Sequence, residues 1–463
     1  MLFWIDATQP APAPEIFGLS LLERQVRNIS EMCSMSALAE KTLRQVSARE
    51  AQLAADLKRT LNPGGTTEIR IELPEGAQIP NLTISPGSHI RIAWSTSGKP
   101  LGARLRTAIE DAHGAPVIGM SADTEIDGRL ITHFASRRVN RVFIAGEGDA
   151  RCAAFAIHGA LPDFDLAAND VLSIAQSLLH RGAAKEFSPE KFNGYIPKLR
   201  RTLAAYLFKI TDAQARDKVE RFLFESNYKG ATDFMTKHVY PPLVWRMVKP
   251  LAQWRVQPNT VTVVSIIATF AAIPLFAAGA WVPGIALAFV MSVLDSVDGK
   301  LARVTFTSSP QGNLLDHGTD VIHPPLWYFG WAWGLSGGDP FSGVFQASIW
   351  MLGIYVVDRV LEQLFKVCTG RSIQDFRPID VKLRTFSSRR NVNLVIFVVA
   401  LPLGLGIPAF YAIVGWQALT AAYHLVRVLQ FWDGNPDEQD SDLDENEEGL
   451  DAAAELSSLE AIN

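Results

Sequence analysis

The sequence predicts a multi-domain chain: an N-terminal soluble α/β domain, then a six-helix transmembrane α bundle, then a disordered acidic tail. Three observations carry that expectation. Residues 1–225 read as an ordinary soluble mixture, residues 259–432 hold long apolar runs, and residues 433–463 are acidic and polar. A chain of 463 residues also exceeds what one small domain holds.

Whole-chain averages hide this split. Hydrophobic residues make up 48% of the chain and its mean hydropathy is +0.11. The net charge is −5, but much of the negative charge sits between residues 433 and 460. The remainder is mildly basic, which suits an anionic membrane surface rather than nucleic acid, and no nucleic-acid partner is expected. Cys33, Cys152 and Cys368 are far apart and form no ligand pair, which points to a reduced compartment without a disulfide framework.

The N-terminus, MLFWIDATQPAPAP, has no basic region followed by an apolar one, so no cleavable signal peptide is expected. FGLSLLERQVRNI reads as an amphipathic helix. PVIGMSADTEIDGRL and RVFIAGEGDARCAAFAIHGAL alternate apolar stretches with turns, as an α/β domain does.

Residues 230–258 read as an interfacial amphipathic segment, with Tyr240, Trp245, Met247 and Trp254 among Lys237, Arg246, Lys249 and Arg255. Pro241 and Pro242 are expected to bend or interrupt it. Six apolar stretches follow, near 261–280, 281–303, 314–335, 341–365, 392–405 and 407–429. A span needs about 20 apolar residues, and the fifth is short. The connection before the fifth carries Lys366, Arg371, Arg377, Lys382, Arg384, Arg389 and Arg390, while alternate connections carry almost no charge. By the positive-inside tendency both termini face the cytoplasm, in an inner, cytoplasmic membrane. The tail, DGNPDEQDSDLDENEEGLD, is expected to be disordered.

The chemistry concentrates where the second stretch ends, VLDSVDGKLARV, and the third begins, PQGNLLDHGTDVIH. Asp295 and Asp298 lie three residues apart on one helix face. Gly312, Asp316 and Asp320 follow at four-residue steps on one stripe of the next. A charged side chain inside a bilayer costs about 2.5–3.5 kcal/mol on insertion scales. Four in consecutive spans need partners, and nearby basic residues look too few for a buried ion-pair network. Bound divalent cations are the simplest partner, since hard carboxylate oxygens suit Mg²⁺ or Mn²⁺. Gly299 and Ala302, one turn beyond the first two aspartates, leave room for a ligand or for close helix packing. His317 reads as a local polar residue. Asp358, Arg359 and Glu362 read either as an intrahelical set of ion pairs or as an acceptor-pocket lining. Arg377, Arg389 and Arg390 could bind an acceptor phosphate, or serve topology and lipid headgroups.

This pattern resembles the CDP-alcohol phosphatidyltransferases, whose signature is D-x2-D-G-x2-A-R, eight or nine residues, then G-x3-D-x3-D. Asp295, Asp298, Gly299, Ala302, Arg303, Gly312, Asp316 and Asp320 match every fixed position. PNTVT, residues 258–262, is similar to the family's entry into its first span, and the likeness extends over about residues 230–430. The resemblance implies a six-span fold for residues 259–432 and two Mg²⁺ or Mn²⁺ ions held by Asp295, Asp298, Asp316 and Asp320. It implies Asp320 as general base, and nucleotide contacts or space from Gly299, Ala302, Arg303, Gly312, Asn259 and Thr262. The implied partners are a CDP-alcohol donor, an alcohol acceptor, membrane lipids and a second copy in a homodimer. GLSLLERQVRN and the turn at Ala122–Asp123 are similar to parts of a sugar-nucleotide-type cytidylyltransferase, but PAPAPE stands where a glycine-rich phosphate loop belongs. That implies a degenerate, non-catalytic domain over residues 1–225. The alternatives are a bifunctional enzyme that also makes the CDP-alcohol from CTP, and a transporter coupled through intramembrane carboxylates.

Overall fold

The computed structural model describes residues 1–9, 14–42, 67–82, 90–192, 194–196, 199, 201–374 and 376–431. The expected acidic tail, most of PAPAPE and the His317 side chain lie outside them. The described residues divide into two compact units: Met1–Tyr195 with Thr202–Leu223, and Ile196–Arg201 with the described part of Phe224–Asn446.

The first unit is α/β. Its strands are β1 (Leu2–Asp6), β2 (Thr67–Leu73), β3 (Ile90–Thr96), β4 (Val117–Ser121), β5 (Thr124–Ile126), β6 (Arg141–Ala145), β7 (Cys152–Ile157), β8 (Lys185–Glu186) and β9 (Leu207–Lys209). Its helices are α1 (Leu21–Thr42), α2 (Leu101–Asp111), α3 (Gly128–Ser136), α4 (Val171–His180) and α5 (Ala213–Ser226). Seven strands form one sheet in the order β3-β2-β1-β4-β7-β6-β8, and β9 pairs with β5. The pairs β3–β2, β2–β1 and β1–β4 are parallel, whereas β7 runs antiparallel to both β4 and β6.

β1 shows why the sheet is covered on both faces. Phe3 and Ile5 join one apolar cluster and Leu2 and Trp4 the other, the period-two alternation of a strand buried on both sides. α1 docks through a polar edge as well as an apolar one. The Ser20 hydroxyl caps it by accepting the Glu23 N–H at 3.1 Å. The Arg24 guanidinium then grips buried Glu125 at 2.8 and 2.7 Å, and Asn28 donates to the Ile126 carbonyl at 2.9 Å. Burial pushes the Cys152 thiol up to about 12, so it stays protonated at neutral pH. All three cysteines are free thiols.

Gly119 in β4 lies opposite Phe155 in β7, and a Cβ there would sit 2.1 Å from the ring. Phe155 is fully buried and cannot swing away. Gly119→Ala is therefore expected to lower this unit's stability by about 1–3 kcal/mol, an overpacking cost. Chemical unfolding followed by Trp4 fluorescence checks this; an unchanged midpoint would contradict it.

The second unit is helical: α6 (Pro241–Gln253), α7 (Pro258–Ala277), α8 (Trp281–Val304), α9 (Pro310–Leu335), α10 (Gly343–Thr369), α11 (Pro378–Phe386), α12 (Arg390–Ala400) and α13 (Gly406–Gln430). Among the described residues α7, α8 and α10 are long and apolar enough to cross a membrane. α6 corrects one expectation. Pro241 and Pro242 do not interrupt it but begin it, after one π turn at Met235–Val239. In a first turn the missing N–H groups would have no helical partner anyway. Val244, Val248 and Ala252 form its buried stripe, while Trp254 just beyond is 74% exposed.

An aromatic core of Phe276, Trp327, Trp331 and Phe397 holds the unit, with Trp331 stacked on Phe397 at 4.3 Å. α9 starts at the Ser309 cap, whose hydroxyl accepts the Gly312 N–H at 3.0 Å. Pro324 and Pro325 lie inside it and leave the carbonyls one turn earlier without a helical donor. The Tyr355 hydroxyl of α10 fills one of these places, donating to the Val321 carbonyl at 3.1 Å.

Candidate functional site

Four aspartates come from two consecutive helices. Asp295 and Asp298 lie in the last turns of α8, and Asp316 and Asp320 in the first turns of α9. Asp295, Asp316 and Asp320 each bring an oxygen within 4.8 Å of the others. Asp298 stands apart from this trio and is 5% exposed; its carboxylate accepts the Thr262 hydroxyl at 2.6 Å. Thr262 also lines the cleft, but its hydroxyl is committed to fixing Asp298.

The ion-pair alternative for the aspartates is met in part, and here the sequence reading needs correction. Arg390, at the start of α12, donates from Nη2 to Asp295 at 3.1 Å and from Nη1 to Asp320 at 2.9 Å. One guanidinium thus bridges two carboxylates from different helices. The partner went unseen because it lies 70 to 95 positions along the chain. The other two arginines make different contacts. The Arg377 guanidinium sits 5.0 Å from the Phe431 ring, and Arg389 reaches Glu362 at 3.2 Å. Of the three arginines suggested for an acceptor phosphate, Arg390 is the one seen to bridge Asp295 and Asp320.

His323 was missed, although positions 316, 320 and 323 share one helical face. It is fully buried. Its Nε2 lies 3.1 Å from Arg390 Nη1 and its Nδ1 2.6 Å from the Thr319 carbonyl. Arginine only donates, so Nε2 is the acceptor and Nδ1 carries the proton, which makes the imidazole neutral.

Gly312 has a packing reason for being glycine. A Cβ there would meet the Asn259 amide oxygen at 2.4 Å and the Ser309 hydroxyl at 3.0 Å. Asn259 therefore belongs to the α7–α9 contact. At Gly299 the three atoms nearest an added Cβ all belong to the Arg303 guanidinium, the first at 3.4 Å, so a side-chain tip of the same helix lies over it. Ala302 is half-buried one turn on, and Arg303 keeps a buried Nε without a hydrogen-bond partner.

The aspartates, Arg390, His323 and Thr262 line one cleft. Three converging carboxylates, with a fourth one turn away, form the all-oxygen set that Mg²⁺ or Mn²⁺ takes. A second acidic group, Asp358 and Glu362 with His424, is differently built. Arg359 bridges Asp358 at 2.8 Å and Glu362 at 2.7 Å, and His424 Nδ1 lies 2.5 Å from Asp358. The intrahelical pair set is thus real, extended by α13.

Comparison with known proteins agrees with the motif. Residues 255–426 match the family model described as CDP-alcohol phosphatidyltransferase. A CDP-alcohol phosphatidyltransferase class-I family protein of Schizosaccharomyces pombe is 30% identical over 115 residues, which is 21% of this chain and 29% of that relative. The chain thus aligns with less than a third of that relative's length. Among solved structures, the Mycobacterium tuberculosis phosphatidylinositol phosphate synthase with CDP-DAG bound matches at 18% identity. That match covers 42% of this chain and 93% of the other, with a TM-score of 0.31.

Proposed function

We propose, from the membership of residues 255–426 in the CDP-alcohol phosphatidyltransferase family, that this chain moves a substituted phosphate from a CDP-alcohol to an acceptor alcohol and releases CMP. The convergence of Asp295, Asp316 and Asp320 on one cleft is the observation that carries this reading. Those three carboxylates, with Asp298 behind them, would hold two divalent cations. Such ions supply charge neutralisation for a diphosphate.

The chain's own groups then do the rest. Asp320 is the most open of the four carboxylates, its side chain 48% accessible against 25% for Asp295. It is placed to take the proton of the acceptor hydroxyl. The acceptor oxygen forms a bond to the phosphorus distal to cytidine, the bond from that phosphorus to the CMP oxygen breaks, and CMP carries the electron pair away. Asp298, fixed by Thr262, adds negative charge behind the ligands. The Arg303 guanidinium, lying over Gly299, suits the nucleotide phosphates. Positioning and electrostatics supply the rate.

All six apolar stretches are read as spans, both termini as cytoplasmic, α6 as an interfacial helix and the assembly as a homodimer. The first unit is read as a non-catalytic nucleotidyltransferase-like domain. Its support is positional: Asp6 ends β1 and Asp123 follows β4, where the strand order reverses and α/β sheets bind ligands.

The test is CMP release by the full chain in lipid, given CDP-diacylglycerol or CDP-polyol donors, Mg²⁺ and a panel of acceptor alcohols. CMP is expected with at least one pair, and chelation should abolish it. Absence of CMP with every donor would overturn the reading. CTP turnover by the same chain would instead favour the bifunctional alternative.

A further inference from the structure

Arg390 is held by more than the aspartates. Its Nε donates to the Asn391 side-chain oxygen at 3.3 Å. The Asn391 amide nitrogen in turn donates to both oxygens of Asp233, at 3.3 and 3.2 Å. Asp233 precedes α6, is 7% exposed, and is itself fixed by the Thr236 N–H at 3.1 Å and hydroxyl at 2.9 Å. The amide orientation is not arbitrary. A carboxylate only accepts and a guanidinium only donates, so Asn391 must turn its nitrogen to Asp233 and its oxygen to Arg390. An unbroken line of hydrogen bonds therefore runs from the segment before the first apolar helix to the carboxylate cleft.

We propose that Asp233 and Asn391 are positioning residues that fix the Arg390 guanidinium between Asp295 and Asp320, so that the segment before α6 sets how tightly those carboxylates take a divalent cation. The physics is competition for the same oxygens. A bound cation must share Asp295 and Asp320 with a tethered positive charge, and the firmer the tether, the weaker the cation binds. The relay also explains the residue type at position 391. A carboxylate there would face Asp233, and an apolar side chain would leave both Asp233 and Arg390 Nε short of a partner. This rests on the reading of Asp295, Asp316 and Asp320 as cation ligands.

Mn²⁺ titration followed by electron paramagnetic resonance, on the full chain in lipid nanodiscs without nucleotide, tests it. Arg390→Gln is expected to tighten Mn²⁺ binding about tenfold, the scale of a charge-assisted hydrogen bond. Asn391→Ala and Asp233→Ala should each tighten it about threefold, in the same direction. The decisive arm is the swap, Asp233→Asn with Asn391→Asp. It rebuilds the line with polarity reversed at one link, because the new amide donates to the new carboxylate and that carboxylate still accepts Arg390 Nε. The swap should return Mn²⁺ affinity to the parent value, which a merely structural role for these residues would not produce. Unchanged or weaker binding in Asn391→Ala, or a swap that fails to restore the parent affinity, overturns the relay. A parent chain that takes no Mn²⁺ sinks the cation reading itself, whereas parent binding that the variants leave alone sinks only the relay.

Discussion

Asp320→Asn should cut CMP release by about 10²–10⁴-fold, the range lost with a general base. The side chain keeps its size and one oxygen, so Arg390 retains an acceptor and α9 keeps its packing. What disappears is the negative charge and the site that receives the acceptor's proton. The variant separates two roles for this carboxylate. If Asp320 is chiefly the base, Mn²⁺ affinity should change little while turnover collapses. If it is chiefly a cation ligand, both should fall together. Asp295→Asn offers the contrast, because its carboxylate is less exposed and its loss should weaken Mn²⁺ binding as well as turnover. Full activity in Asp320→Asn would remove the base assignment and move proton transfer to another group.

The site was legible where it is local. The stripes Asp295–Asp298 and Gly312–Asp316–Asp320 follow from a 3.6-residue period within single helices. Both helices pack against α7, and that shared neighbour brings the carboxylates together. What crosses the sequence was not legible. Arg390 carried no mark separating it from Arg377 and Arg389, and only the placement of α12 gives it the carboxylates. Asp233 and Asn391 are 158 positions apart and neither lies in a motif. The first unit shows the same limit. The alternation in β1 signals a buried strand, but a run of five residues cannot tell which strands flank it. That β4 pairs with β1 across the intervening β2 and β3 is a property of the whole sheet.

A last prediction concerns how α7 and α9 approach. Gly330 and Gly334 are one turn apart on α9, and both face the α7 backbone. A Cβ on Gly330 would lie 3.2 Å from the Ile273 carbonyl oxygen, and one on Gly334 only 2.2 Å from the Phe276 carbonyl oxygen. Neighbouring atoms are themselves packed: Phe276 is fully buried, and Trp281 would be met at 2.8 Å. Backbone cannot rotate aside as a side-chain tip can, so Gly334→Ala must push the helices apart. The overpacking cost is about 1–3 kcal/mol, and the thermal midpoint in detergent should fall by several degrees. Gly353→Ala and Gly415→Ala supply the opposite sign. A Cβ at either meets nothing within 4 Å, so alanine adds helix propensity worth about 1 kcal/mol and removes no contact. All four glycines lie within helices, and nothing in their local sequence ranks them. The ordering comes from backbone-to-backbone distance alone. A Gly334→Ala midpoint equal to that of Gly415→Ala would mean that α7 and α9 do not approach as closely as the carbonyl at Phe276 requires.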